Sequence, residues 1–245
     1  MNYKLQITDY LKKYGFAALR PKAVLFDMDG VLYDSMPNHA VAWQKSMASF
    51  GIDMTADDAY TTEGQRGSDT IRQLVRQQKG TDIDEEEADL MYKEKARLFH
   101  LMPEAPVMPG ILSLMAQIKE CGLKIGVVTG SGQRLLIDRL NHDFGAYIDD
   151  ITTAYDVTKG KPDPQPYQIG MQKAGCQNPW EALVVENAPL GVRAGVAARI
   201  FTIAVNTGPL PDSRLLQEGA NLIFSKMTDL SESWPHLLQE ANQHE

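Results

Sequence analysis

Between Lys22 and Val31 the chain reads Lys-Ala-Val-Leu-Phe-Asp-Met-Asp-Gly-Val, an apolar run that delivers two carboxylates, two positions apart, and then a glycine. A run this short, rich in β-branched and aromatic residues and closed by an Asp-Gly turn, predicts a buried strand. In an open α/β sheet, ligands bind beyond the carboxyl ends of the strands, so Asp27 and Asp29 stand where chemistry is expected. Two carboxylates so close repel unless a cation or a shared proton offsets the charge. Hard oxygen donors without neighbouring His or Cys favour magnesium over zinc. A solvated Asp-Gly turn would have the same sequence, so the rest of the chain must decide.

That rest is long enough to matter. With 245 residues, 43% of them hydrophobic, the chain can bury one large core or two smaller ones. Lys plus Arg number 24 against 32 Asp plus Glu, a net charge of −8, which argues against nucleic acid or an anionic membrane as the main partner. The first fifteen residues lack an apolar signal-peptide core, and no later run reaches membrane-spanning length. Ile7, Tyr10, Leu11 and Tyr14 instead share one helical face, with Gly15 as the stop, so residues 1–20 read as a helical extension. Cys121 and Cys176 each adjoin a glycine and are expected as two buried free thiols, which suits a cytoplasmic protein.

From Asp34 to about Pro103 the apolar residues recur at helical spacing (Trp43, Met47 and Phe50; Ile71, Leu74 and Val75; Met91, Tyr92, Leu98 and Phe99), with breaks at 51–55 and 79–81. This predicts a small helical bundle inserted after the first strand, where it would lie over that strand's carboxyl end. After Met108-Pro109-Gly110 strand and helix alternate: helix 111–120, strand 123–128, helix 133–141, helix 164–174, strand 182–185, helix 190–198, strand 201–205, helix 213–218, strand 222–224 and a C-terminal helix through Trp234. Repeated βα units call for a parallel, doubly wound, Rossmann-like sheet. The expected division is therefore an α/β core from 21–35 and 104–245, with an all-helical cap at 36–103.

Three further polar groups stand at or near predicted strand ends. Thr129-Gly130-Ser131-Gly132 could hold a phosphate on its backbone, although taken alone it reads as an ordinary βα turn. Lys161 lies in Gly-Lys-Pro-Asp-Pro, where two prolines stiffen the chain around one ammonium. Glu186-Asn187 closes a buried strand with a carboxylate and an amide, both able to serve a metal; Asn187 could equally cap the following helix, with Pro189 early in it.

The order of these four motifs, Asp-x-Asp-Gly, a hydroxyl residue after a second strand, Lys-Pro, and an acidic pair position, resembles the haloacid dehalogenase superfamily, and within it the β-phosphoglucomutase-like branch. The resemblance runs from about Lys22 to the C-terminus. It implies that Asp27 is a nucleophile that becomes an aspartyl-phosphate and that Asp29 gives a proton to the leaving group. Thr129, Gly130 and Ser131 would bind the phosphoryl oxygens, and Lys161 would bridge charges. Magnesium would take a side-chain oxygen of Asp27, the main-chain carbonyl of Asp29 and an oxygen of Asn187, with Glu186 beside it. His39, with Trp43 one turn on, matches a cap-hinge position that couples cap closure to the acid. Lys95 aligns loosely with a substrate lysine of the mutases and is expected on a solvated face.

The departures bear on substrate. Asn187 stands where the phosphomutases carry Asp. Glu63 replaces a cap lysine, and Gly67 falls where their phosphate-gripping cap arginine should be, with Arg66 one residue away as a possible substitute. Glu63 could replace the charge lost at Asn187 by reaching the metal. These features, and the Glu63-Gly64 pair, are most similar to a pyrophosphate-hydrolysing member of the branch. The expected activity is hydrolysis of pyrophosphate or a small phosphate ester, with β-phosphoglucomutase and a non-catalytic phospho-ligand binder as alternatives. A small phosphorylated substrate and a monomer are expected.

Overall fold

A computed structural model describes residues 3–243. After helix α1 (Tyr3–Tyr14), strand β1 (Ala23–Phe26) enters the centre of the molecule. The helical insertion follows: α2 (Met36–Ser49), α3 (Ala56–Thr61), α4 (Gly67–Lys79) and α5 (Glu85–His100). The remainder alternates, and every element in it but β3 was expected: α6 (Ile111–Glu120), β2 (Lys124–Val128), α7 (Arg134–Phe144), β3 (Asp150–Thr152), α8 (Gln165–Lys173), β4 (Ala182–Glu186), α9 (Pro189–Ala197), β5 (Phe201–Val205), α10 (Asp212–Gln217), β6 (Leu222–Phe224) and α11 (Met227–Asn242).

The sheet has the order β3-β2-β1-β4-β5-β6, and every pairing is parallel. All four residues of β1 are buried, as a strand covered by helices on both faces requires. Alternate side chains serve opposite faces. Val24 and Phe26 join Ile125, Val127, Leu183, Val185 and Phe201 in the larger apolar cluster, with residues of α1, α6, α7 and α11. Ala23 and Leu25 join Val184, Tyr167 and Met171 under α8 and α9. With β1 flanked by β2 on one side and β4 on the other, the strand order reverses beside it. That reversal opens the crevice in which such sheets bind ligands, and Asp27 sits at its floor.

The helical insertion has an apolar core of its own, built from Trp43, Met47, Ile71, Leu74, Val75, Ala88 and Met91. Its helices start and stop on local chemistry. Thr55 and Asp58 form a capping box at α3, Asp84 accepts from the Glu87 amide at α5, and Gly80 ends α4 in the left-handed region at φ 67°. Strand β3 and the full length of α11, which continues past Pro235, go beyond the sequence reading. Cys176 is buried, but Cys121 is exposed; it caps α6 at the surface, so the expectation of two buried thiols is corrected. Among the described residues no helix is long and apolar enough to cross a membrane.

Candidate active site

Each polar group sits where a strand runs out. Asp27 follows β1, Thr129 follows β2, Glu186 ends β4, and Lys161 arrives from the loop before α8, so four separate stretches converge on one crevice. Lys161 is buried with its Nζ 2.6 Å from Asp27 Oδ1, 2.7 Å from Glu186 Oε1 and 3.0 Å from the Val128 carbonyl. Burial alone would drive its proton off; the Asp27 and Glu186 carboxylates outweigh that and raise its pKa above the usual lysine value. Burial pushes Asp27 the other way, up to about 7, with Lys161 opposing and Glu186 and Asp29 adding to the rise.

Glu186 is fully engaged. Oε1 accepts from Lys161 and from Tyr167 Oη at 2.6 Å, and Oε2 accepts from the amides of Asn187 and Ala188. It orients the lysine, so its part beside a metal would be played through Lys161 and the backbone it anchors. Asn187 does not cap α9, whose N-cap is Ala188; its Oδ1 is buried and has no hydrogen-bond partner. Its amide lies against Gly30, where a Cβ would come within 2.0 Å of Nδ2.

Asp29 is held by a chain of partners from the helical insertion. Ser35 Oγ donates to its Oδ1 at 2.5 Å, and His39 Nε2 lies 3.0 Å from the same oxygen. His39 Nδ1 is 2.6 Å from Lys95 Nζ. A protonated lysine makes Nδ1 the acceptor, which places the ring proton on Nε2, pointing at Asp29. The expectation of a solvated Lys95 is therefore wrong. It is buried, with its ammonium 5.0 Å from the Trp43 ring centre and 5.2 Å from that of Phe99. Helical periodicity counts Lys as surface; only the ring of aromatics at Trp43, Tyr92 and Phe99 hinted at a cation site. Burial would raise Asp29, yet the charge and hydrogen bonds of His39, with Ser35 and Lys95, bring it down to about 2. Burial and the Lys95 ammonium lower His39, and burial lowers Lys95 to about 8.

Glu63 reaches the same crevice from the loop between α3 and α4. Burial, with the Asp29 and Asp27 charges, pushes it up to about 8. Together with Asp27, Asp29, His39, Lys95, Thr129, Gly130 and Ser131 it lines a cavity of about 40 Å³. On the core side Thr129 Oγ1 accepts from the Ser131 amide at 3.0 Å, and Ser131 Oγ accepts from the Gln133 amide. Among the lining residues that were not foreseen are Tyr92 and Gln133, whose side chains meet at 3.2 Å. Gly67 must stay bare for Tyr92, since a Cβ there would come within 2.2 Å of the ring. Arg66 is not in the cavity. Its guanidinium turns outward to Glu85 at 2.6 Å, away from the substrate position expected for it.

Among the described residues no group of three His, Cys, Asp or Glu is arranged to hold a metal by itself. A mixed set fits better. The unpartnered Asn187 Oδ1 and three crowded carboxylates, two of them raised by burial and then by neighbouring carboxylate charge, are the donors and the excess negative charge that a hard divalent cation offsets.

Known proteins resemble this chain over most of its length. A family model for haloacid dehalogenase-like hydrolases matches residues 21–199. A solved structure from Bacteroides vulgatus, provisionally named a beta-phosphoglucomutase, is 49% identical, superposes with a TM-score of 0.94 and covers 98% of each chain. Validoxylamine A 7'-phosphate phosphatase of Streptomyces hygroscopicus subsp. limoneus is 30% identical over 88% of this chain and 98% of its own. Beta-phosphoglucomutase of Bacillus subtilis strain 168 is 28% identical over 86% and 92%.

Proposed function

Since the chain belongs to the haloacid dehalogenase-like hydrolases and is an enzyme of phosphoryl transfer on small phosphate esters, we propose that it hydrolyses substrates with small leaving groups, pyrophosphate first among them. The observation that carries the reading is the narrowness of the cavity: Asp27, Asp29 and Thr129 line about 40 Å³, space for roughly three waters, which leaves little room for a bulky group beside the transferring one.

In this reading Asp27 attacks phosphorus, forming an O–P bond as the bond to the leaving oxygen breaks; water then attacks the aspartyl-phosphate and returns Asp27 with inorganic phosphate. Lys161 holds Asp27 in line and spreads the charge of the transferring group, while Thr129 and the backbone of Gly130 and Ser131 face its oxygens. Asp29 handles the protons, with His39 and Lys95 fixing its orientation. Held at about 2, Asp29 seldom carries a proton at neutral pH. A phosphate leaves as a stable anion, whereas a sugar alkoxide needs protonation, so the site suits pyrophosphate. Magnesium would be held by Asp27, the Asp29 carbonyl, Asn187 and Glu63, and would supply positive charge to the phosphoryl oxygens. Residues 36–103 act as the cap. A monomer in the cytoplasm completes the proposal, the latter supported by free Cys121 and Cys176.

The test is phosphate release with magnesium from pyrophosphate, hexose phosphates, and β-glucose 1-phosphate with a bisphosphate primer. Pyrophosphate should be the best substrate by kcat/KM. Isomerisation of the glucose phosphate without release would instead support the phosphomutase reading, which the name of the 49% identical structure favours.

A further inference from the structure

Three glycines in the core face the helical insertion, and none is glycine for the sake of its own backbone. Gly130, Gly160 and Gly208 lie outside the left-handed region, so alanine could hold the same main chain. What a side chain would meet is the cap. A Cβ at Gly130 would stand 3.0 Å from the Gly64 carbonyl oxygen, one at Gly160 would stand 2.8 Å from Arg66 Cγ, and one at Gly208 would stand 3.1 Å from the Tyr60 ring. Those three positions belong to separate loops, after β2, before α8 and after β5. The residues they receive belong to a single stretch, 60–66, which carries Glu63. Gly64 itself, at φ 83°, leans on the aliphatic stem of Lys161, where its Cβ would be 3.2 Å from Cδ.

We infer that Gly160 and Gly208, with Tyr60 and the stem of Arg66, are specificity-determining positions: their close approach sets how deeply 60–66 seats, and so how small the closed cavity is and whether Glu63 arrives beside Asp27 and Asp29. None of the four lines the cavity, so they act by positioning Glu63 and not by touching substrate. A tertiary interface this close can take up a methyl group only by small local shifts, and a branched side chain only by moving the segment opposite it. A side chain at 208 lifts the Tyr60 end of the stretch, enlarges the cavity and withdraws the carboxylate. Small substrates then lose the grip that favours them, and bulkier phosphate esters gain entry.

This inference rests on the hydrolase reading above, and the experiment separates the two. Purified wild type, Gly208→Val, Tyr60→Ala and the double variant are assayed with magnesium on pyrophosphate and on a hexose 6-phosphate. Gly208→Val should raise the hexose phosphate to pyrophosphate ratio of kcat/KM about tenfold. On the Tyr60→Ala background, where the ring it collides with is gone, the same substitution should shift the ratio less than about twofold. An unmoved ratio in the single variant, or an undiminished shift in the double, overturns the inference. Amide hydrogen exchange of 60–66 supplies a reading that needs no substrate: protection should fall in Gly208→Val and recover in Gly208→Ala, and equal protection in all forms overturns the seating argument even if neither phosphate is turned over.

Discussion

The core and the cap each bury one lysine beside a catalytic carboxylate, and the two surroundings do opposite things to it. Lys161, in the core, donates to two carboxylates and a carbonyl, and its proton is held more tightly than in water. Lys95, in the cap, faces an imidazole nitrogen and aromatic rings, and burial lowers it to about 8. Direct ion pairs outweigh desolvation; ring faces and one neutral acceptor do not. The core lysine is thus a fixed charge, and the cap lysine is an adjustable one that reaches Asp29 through the His39 hydrogen bonds as well as by its charge.

The largest way to break this comparison is at the core. Asp27→Asn should abolish turnover while leaving the fold intact, and Lys161→Met should cost at least about a thousandfold in kcat; phosphate release and circular dichroism decide both. At neutral pH Lys161→Met should also destabilise by roughly 3 kcal/mol, because Asp27 and Glu186 lose the cation between them. Native Lys161 contributes stability in full below the unfolded lysine value of 10.5 and loses it only as pH rises through its raised folded pKa.

At the cap the same substitution should act on rate and barely on folding. Lys95→Met should lower kcat by about tenfold to a hundredfold through loss of the His39 tautomer that faces Asp29, yet stabilise the fold by roughly 1 kcal/mol at pH 7. The sign follows from the lowered pKa: between about 8 and 10.5 the unfolded lysine holds more protons than the folded one. Stability of the native protein therefore rises with pH across that window, and the advantage of the methionine variant shrinks there, which thermal melts at pH 7, 9 and 10.5 can follow.

Glu63→Gln sharpens the contrast further. Without magnesium it should raise the melting temperature at pH 8 to 9. The native carboxyl, raised from 4.5 to about 8, gives stability that is lost as pH climbs through that range. With magnesium it should weaken binding by about tenfold in calorimetric titration. Smallest of all, Arg66→Met keeps the stem over Gly160 and removes only the outward guanidinium, and should change kcat/KM less than about twofold.

Much of this was legible in the chain because its signals are local. The strand 201–205, the helix 111–120 and the strand 222–224 fall on the observed bounds, and Asp27, Asp29, Thr129 and Lys161 share one crevice. What escaped depends on partners distant in sequence. Lys95 looks like a surface residue until Trp43, Tyr92 and Phe99 enclose it; Glu186 does not show its partners until Tyr167 and Lys161 reach its oxygens; and β3, three residues long, earns its place by pairing with β2 more than by its own sequence. The direction of Arg66 is not legible either, because a helix start can aim a long side chain either way, and Glu85 draws it outward.

Helix α1 lies outside the stretch matched by the family model, yet it is woven into the core. Its Tyr10 and Tyr14 hydroxyls donate to the carbonyls of Arg199 and Val196 at the end of α9, and Tyr10 sits edge-on to Phe201. A truncated version starting at residue 21 would keep all of the proposed catalytic side chains and bare a sticky aromatic face around Phe201 and Trp180, so boundaries for expression chosen by homology alone would yield aggregates instead of enzyme.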